Sequence, residues 1–174
     1  MAANIQDVGA VPQPRLLEWL RVNGVDHEIH EHATTITATA TARAEGIDPR
    51  RFAKTVCVIA DDRPALVVVD AVDRIDLAKV RHVLAADDVR LASEGELVEF
   101  APDFEVGTIP PIGDLFDARV IADFAVRDDP EISFHAGSHS FTVHVDRAAW
   151  ERATHVVYAD IALADHDRAA WASS

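Results

Sequence analysis

Only one cysteine, Cys57, occurs among the 174 residues. A single thiol cannot form an internal disulfide, so a disulfide-stapled secreted fold is excluded and a reducing cytoplasm is the expected compartment. No apolar run approaches the roughly 20 residues that cross a bilayer, and no membrane contact is expected. The opening residues MAANIQDVGAVPQPR have neither a charged start nor an apolar stretch, so no signal peptide is expected. Basic residues are scarce, with 16 Lys and Arg against 30 Asp and Glu, a formal net charge of −14. A protein that grips nucleic acid broadly carries a basic face. Any nucleic-acid contact of this chain is therefore local, to one end of an RNA. What remains is an ordinary globular mixture, 49% apolar and 26% charged, which excludes a wholly disordered chain. The length fits one domain with a single sizeable core.

Along the chain, residues 1–14 read as a loose lead-in and 163–174 as a polar, alanine-rich tail, leaving 15–162 as the domain. Pro14 opens a helix to about residue 23, with Leu16, Leu17, Trp19 and Leu20 at helical spacing. Residues 25–32 read as a strand, and Thr37 as the N-cap of a helix through Ala44. The β-branched run at 55–59 and the apolar run at 65–70 read as buried strands joined in a hairpin by an acidic turn. A helix over 77–84 follows its N-cap Asp76. A short strand at 89–91 leads to Ser93 and Glu96, which have capping-box spacing. Residues 102–116 contain GTIPPIGD, too rich in glycine and proline for a regular element, and read as a shaped loop. Strands follow at 118–122, 132–137 and 141–145, then a short helix capped by Asp146, and 155–157 closes the domain. Hairpin and crossover links are mixed. The fold class is therefore α/β (α+β), a single domain with a mixed sheet flanked by helices.

Cys57, inside TVCVI, reads as a buried small hydrophobe rather than a nucleophile. His30 and His32 share a strand face, and His139 and His144 lie in the last loop and strand. There is no HExxH and no cysteine pair, so neither a metal nor a cofactor is expected.

Four ordered stretches carry a resemblance: His32 through Gly46; Ala53-Lys54-Thr55-Val56 with LVVV at 66–69; Val89 to Ser93 leading to Gly107-Thr108-Ile109-Pro110-Pro111-Ile112-Gly113; and Ala136-Gly137-Ser138 before the strand at 141–145. Together, over about 25–162, they resemble the YbaK/prolyl-tRNA synthetase editing family. The resemblance implies a mixed, strongly curved sheet. It implies a free-standing, trans-editing deacylase that hydrolyses the ester of a mischarged tRNA of the Cys- or Ala-tRNAPro type. The implied partners are the acceptor end of aminoacyl-tRNA and prolyl-tRNA synthetase, with the chain a monomer or small homo-oligomer.

It also implies a site. Lys54 lies in the substrate cleft, where an ammonium can hold a phosphate or ribose, or stabilise charge during ester hydrolysis; the plain alternative is a strand-edge surface lysine. Gly107, Thr108, Ile109 and Pro110 shape the amino-acid pocket and bring backbone N–H groups to the ester carbonyl, or are an ordinary rigid connection. Gly137 lets backbone approach the substrate and Ser138 donates to it, or the pair is a tight hairpin turn. His32, Thr37 and His139 are further pocket candidates. Lys54, Gly107 and Gly137 form the expected catalytic set. Water, or a thiol on the substrate, attacks the ester while backbone N–H groups and Lys54 stabilise the developing charge. The rival reading is a non-catalytic module on the same fold that binds a nucleotide, a tRNA end or a protein. A further one is a regulatory protein whose acidic face meets a basic partner.

Overall fold

The β-branched run at 55–59 and the apolar run at 65–70 pair at the centre of the molecule. In a computed structural model, which describes residues 11–163, they lie within β2 (Ala53–Ala60) and β3 (Arg63–Asp70), an antiparallel hairpin. Asp61 and Asp62 close it at φ 46° and 66°. A two-residue turn with both central φ values positive matches the right-handed twist of the strands, and aspartate tolerates that region. Successive β3 side chains enter different cores: Leu66 and Val68 one, Ala65, Val67 and Val69 the other. A strand covered on both faces must be apolar throughout, which explains the unbroken ALVVV.

Around this hairpin stand β4 (Val89–Leu91), antiparallel to β2; β5 (Arg119–Asp123), parallel to β3; and β8 (Val157–Ala159), parallel to β5. The order of this mixed sheet is β4-β2-β3-β5-β8. The remaining strands form a second, antiparallel sheet, β1-β7-β6, from β1 (His27–Glu31), β6 (Glu131–Ser138) and β7 (Phe141–Asp146). The mixed pairing and the α/β class follow the sequence reading, but the strands divide between two sheets. A bridge from Phe52 to Ser133 marks where the sheets meet.

The helices are α1 (Pro14–Val22), α2 (Ala38–Ala44), α3 (Leu77–Leu84), α4 (Glu94–Phe100), α5 (Phe124–Arg127) and α6 (Arg147–Thr154). Thr37, Asp76 and Asp146 cap α2, α3 and α6 through their side chains, and Ser93 with Glu96 forms the capping box of α4. The loop before β5 includes a single 3₁₀ turn, Gly113–Leu115, within the stretch read as wholly irregular. Leu16, Trp19 and Leu20 of α1 and Trp150 of α6 join Leu66, Val68, Phe134 and Val143 in the larger core. Val80 and Leu84 of α3 cover the other face of the five-stranded sheet with Ile121 and Ile161. Each such fully buried side chain contributes about 1.5–3 kcal/mol. Residues 1–10 of the expected lead-in and 164–174 of the expected tail lie outside the described residues.

Candidate active-site cleft

A cleft of about 430 Å³ opens where the start of β2, the entry to α2, the end of β4 and the loop before β5 converge. Its walls are largely apolar, with Ala53, Val56, Leu97 and Ile109 among them. The polar side chains lining it are Thr37, Thr39, Lys54, Thr55 and His135, together with the Cys57 thiol.

Lys54 is the second residue of β2, one strand step from the buried Ala53. Its Nζ donates to the carbonyls of Asp73 (2.6 Å) and Ala71 (3.5 Å), in the turn after β3. Burial pulls its pKa below the ordinary lysine value; Asp73 opposes that and Arg74 adds to it. An ammonium has three donors, so one N–H remains beyond these two bonds.

The facing loop is built around Gly107, at φ +87°, a conformation that side chains with a Cβ rarely adopt. Just after it, Thr108 is fully buried, and both its N–H and its hydroxyl donate to the Glu105 carbonyl (3.0 and 2.6 Å). The two prolines follow, and the Trp150 indole donates to the Pro111 carbonyl at 2.9 Å. Gly113 closes the loop against β5: a Cβ there would stand 2.0 Å from the Ala118 carbonyl oxygen.

A histidine cluster begins at the cleft wall and extends away from it. His135, on β6, is 5% exposed and its Nε2 pairs with Thr41 Oγ1 at 2.9 Å. Burial first, then His139 and His32, push its pKa down to about 4, so it is neutral near pH 7. The His139 ring lies 5.9 Å from that of His135 and edge-on to it. His139 Nε2 donates to the Val106 carbonyl (2.9 Å), which leaves Nδ1 as a bare acceptor, buried and without a hydrogen bond. His32 Nδ1 donates to the Ala33 carbonyl (2.7 Å), and its Nε2 is likewise buried and unbonded.

Among the residues singled out in the sequence, Thr37, Lys54, Gly107 and Ile109 line one cleft. His32 and His139 lie one layer back, through His135. Thr108 and Pro110 shape the loop from within the protein. The Ser138 hydroxyl accepts from the Ser140 N–H (3.1 Å), within the β6–β7 turn. Gly137 is not among the residues that line the cleft. Its φ is +81°, and a Cβ there would meet Gln13 Cβ at 2.6 Å and Phe104 at 2.9 Å. The packing of the segment before α1 and of Phe104 therefore calls for glycine at this position. The sequence predicts a strand over 132–137 without singling out His135. Its signal was available: Ile132, Phe134 and Ala136 alternate into the core, which turns Ser133 and His135 to the other face. Cys57 lines the cleft as a thiol, since burial and Glu96 raise its pKa to about 11.

The class this defines is a small two-sheet α/β protein with an apolar cleft, one half-buried ammonium and no thiolate nucleophile. The family's sequence profile, that of the aminoacyl-tRNA editing domain, matches residues 30–153, and the chain belongs to that family. It is 32% identical over 137 residues to a proline–tRNA ligase of Ligilactobacillus salivarius, an alignment covering 74% of this chain and 24% of the ligase. It is 35% identical over 106 residues to the corresponding ligase of Lactobacillus gasseri, covering 56% and 19%. The chain thus spans about a quarter or less of the length of these ligases. Among solved structures it shares its fold with a candidate trans-editing enzyme for prolyl tRNA synthetase. The TM-score is 0.78 at 21% identity, covering 88% of this chain and 99% of that one.

Proposed function

We propose that the chain is a trans-acting deacylase that hydrolyses the ester of a tRNA carrying a wrong, small amino acid, with Cys-tRNAPro and Ala-tRNAPro as the substrate class. The observation that carries this reading is the half-buried Lys54 ammonium set into an apolar cleft opposite the Gly107 loop. A buried cation in such a setting interacts more strongly with developing negative charge than one in water. The terminal ribose and phosphate reach the mouth of the cleft, and the amino-acid side chain enters between Ala53, Val56 and Ile109. Such walls accept a methyl or a thiol and penalise a charged side chain.

Water adds to the ester carbonyl carbon. The negative charge that develops on the carbonyl oxygen is met by Lys54 Nζ and backbone N–H groups of the loop. The carbon–oxygen bond to the ribose then breaks, the ribose oxygen takes a proton, and free amino acid and tRNA depart. Cys57, held as the thiol, forms no acyl-enzyme, and the neutral His135 cluster supports the cleft wall. Residues 15–162 are the editing unit. Its place is the cytoplasm, where prolyl-tRNA synthetase would supply the tRNA affinity that a net charge of −14 withholds.

One observation favours the rival binding module: Lys54 Nζ already donates to two backbone carbonyls. If both bonds persist with substrate present, Lys54 braces the turn after β3 and the cleft binds without hydrolysing. A panel of labelled aminoacyl-tRNAs, incubated with the full chain with and without prolyl-tRNA synthetase, separates the two. The proposal expects fast loss of Cys or Ala from tRNAPro while Pro-tRNAPro survives. Binding of these tRNAs with no ester loss above the spontaneous rate would establish the module instead.

A further inference from the structure

We propose that His30, Glu45 and His144 form a site for a divalent metal ion of the zinc class, on the face of the three-stranded sheet where α2 ends. The site shares no residue with the cleft and is independent of the proposed editing reaction.

Sheet register assembles it. His30 pairs with Thr142 and Glu28 with His144, which places all four side chains on one face, with His30 and His144 on a diagonal. The two imidazole rings lie 4.1 Å apart. Glu45, the C-cap of α2, comes down onto this face with its side chain 5% exposed. Thr142 Oγ1 donates to Glu45 Oε1 and so fixes the carboxylate. The other oxygen, Oε2, is buried and makes no hydrogen bond of acceptable geometry, although His144 Nε2 stands 3.2 Å away. A buried carboxylate oxygen beside an imidazole nitrogen needs either a proton on that ring or a cation shared with it.

His144 is set up as a ligand. Its Nδ1 pairs with Ser133 Oγ at 2.7 Å, on the neighbouring strand, and donation there leaves the Nε2 lone pair, 3.2 Å from Glu45 Oε2 and 3.3 Å from Thr142 Oγ1. This is the outer-shell bond that orients a metal-binding imidazole. One ligand atom from each of the three residues lies within 4.8 Å of the others. Zinc bound tetrahedrally at about 2.1 Å places its ligand atoms about 3.4 Å apart. The His144–Glu45 pair already meets that spacing, and rotation of His30, whose side chain is 47% exposed, closes the rest. Glu28 Oε2, 3.4 Å from His30 Nε2, stands beside the fourth position. Two imidazoles and a carboxylate suit zinc better than magnesium or calcium, which prefer oxygen ligands. A bound ion would tie the end of α2 to β1 and β7, and the entry to α2 lines the cleft.

The test is titration calorimetry of the full chain with Zn²⁺ alone, near pH 7.5, joined by Co²⁺ absorption spectra. The expected result is one equivalent per chain, a tetrahedral Co²⁺ spectrum and a rise in melting temperature with Zn²⁺. Affinity should fall at least tenfold in His30→Ala and in Glu45→Gln, and should be unchanged in His82→Ala, on the exposed face of α3. Glu45 is buried, so if Glu45→Gln does not fold, the exposed His30→Ala decides. Equal affinity in the wild type and His30→Ala, or the absence of a stoichiometric site, would overturn the proposal and leave a metal-free His144–Glu45 pair.

Discussion

Lys54 and His135 show how burial sets the chemistry of single groups. The ammonium stays in the cleft wall because two carbonyls and the Asp73 charge offset the loss of water around it. His135 sheds its charge instead. Its pKa in the fold is about 4 against an ordinary 6.5, so the unfolded chain binds the proton more readily between those values. Stability from the neutral, buried ring is then complete above about pH 6.5 and is lost as pH falls toward 4, by up to about 3 kcal/mol. Urea unfolding at pH 4.5 and pH 7 should therefore show a larger acid loss for the wild type than for His135→Gln, which cannot take up the proton. Equal losses would contradict the buried assignment. At Gly113 the constraint is steric: Gly113→Ala forces a Cβ to within 2.0 Å of backbone. That should cost more than about 2 kcal/mol in denaturant unfolding, as overpacking against backbone does. Gly107→Ala meets nothing nearer than 3.6 Å, and its cost should be confined to backbone strain of about 1 kcal/mol.

At the scale of elements, the loop before β5 is held by the indole of α6. Removing that bond in Trp150→Phe leaves the Pro111 carbonyl without its donor in the core and should cost about 1–3 kcal/mol, read as a lowered midpoint in urea. Local signals in the sequence located the elements well where their cause is local. Thr37, Asp76, Ser93 and Asp146 cap the helices they were expected to start, because an N-cap acts within three residues. The four-residue α5 escaped notice because it is too short to show a helical period; its cap is Asp123, whose Oδ2 accepts from Ala125 N–H. The other oxygen of Asp123 accepts from the N–H groups of Ile161 and Ala162, a link 38 and 39 residues long that no local pattern reveals. The division into two sheets is hidden for the same reason, since it depends on β1 reaching β7 across more than 100 residues. In the cleft, Lys54 and the Gly107 loop were legible from the resemblance. The strand alternation turns His135 away from the core, but its setting is not legible locally, because its hydrogen-bond partner Thr41 lies 94 residues away in the chain. The sequence marks Gly137 as a place where backbone comes close to something, and the contacts with Gln13 and Phe104 that its missing Cβ permits are seen only in three dimensions.

At the scale of the whole molecule, charge and cleft point in different directions. A net charge of −14 gives tRNA phosphates little to hold, while in the proposed function the cleft offers its ammonium to a single acceptor end. Binding to tRNA alone should therefore be weak and shallow in its salt dependence, and adding prolyl-tRNA synthetase should lower the substrate concentration needed for half-maximal rate. The most direct test of the central claim is the first-order rate of ester loss from Ala-tRNAPro and Cys-tRNAPro with wild type and with Lys54→Met, both shown folded by circular dichroism. Turnover by the wild type and a fall of about 10²–10³-fold in the variant are expected, the size seen when a group that stabilises the developing oxyanion is removed. Turnover by Lys54→Met equal to that of the wild type would contradict the claim.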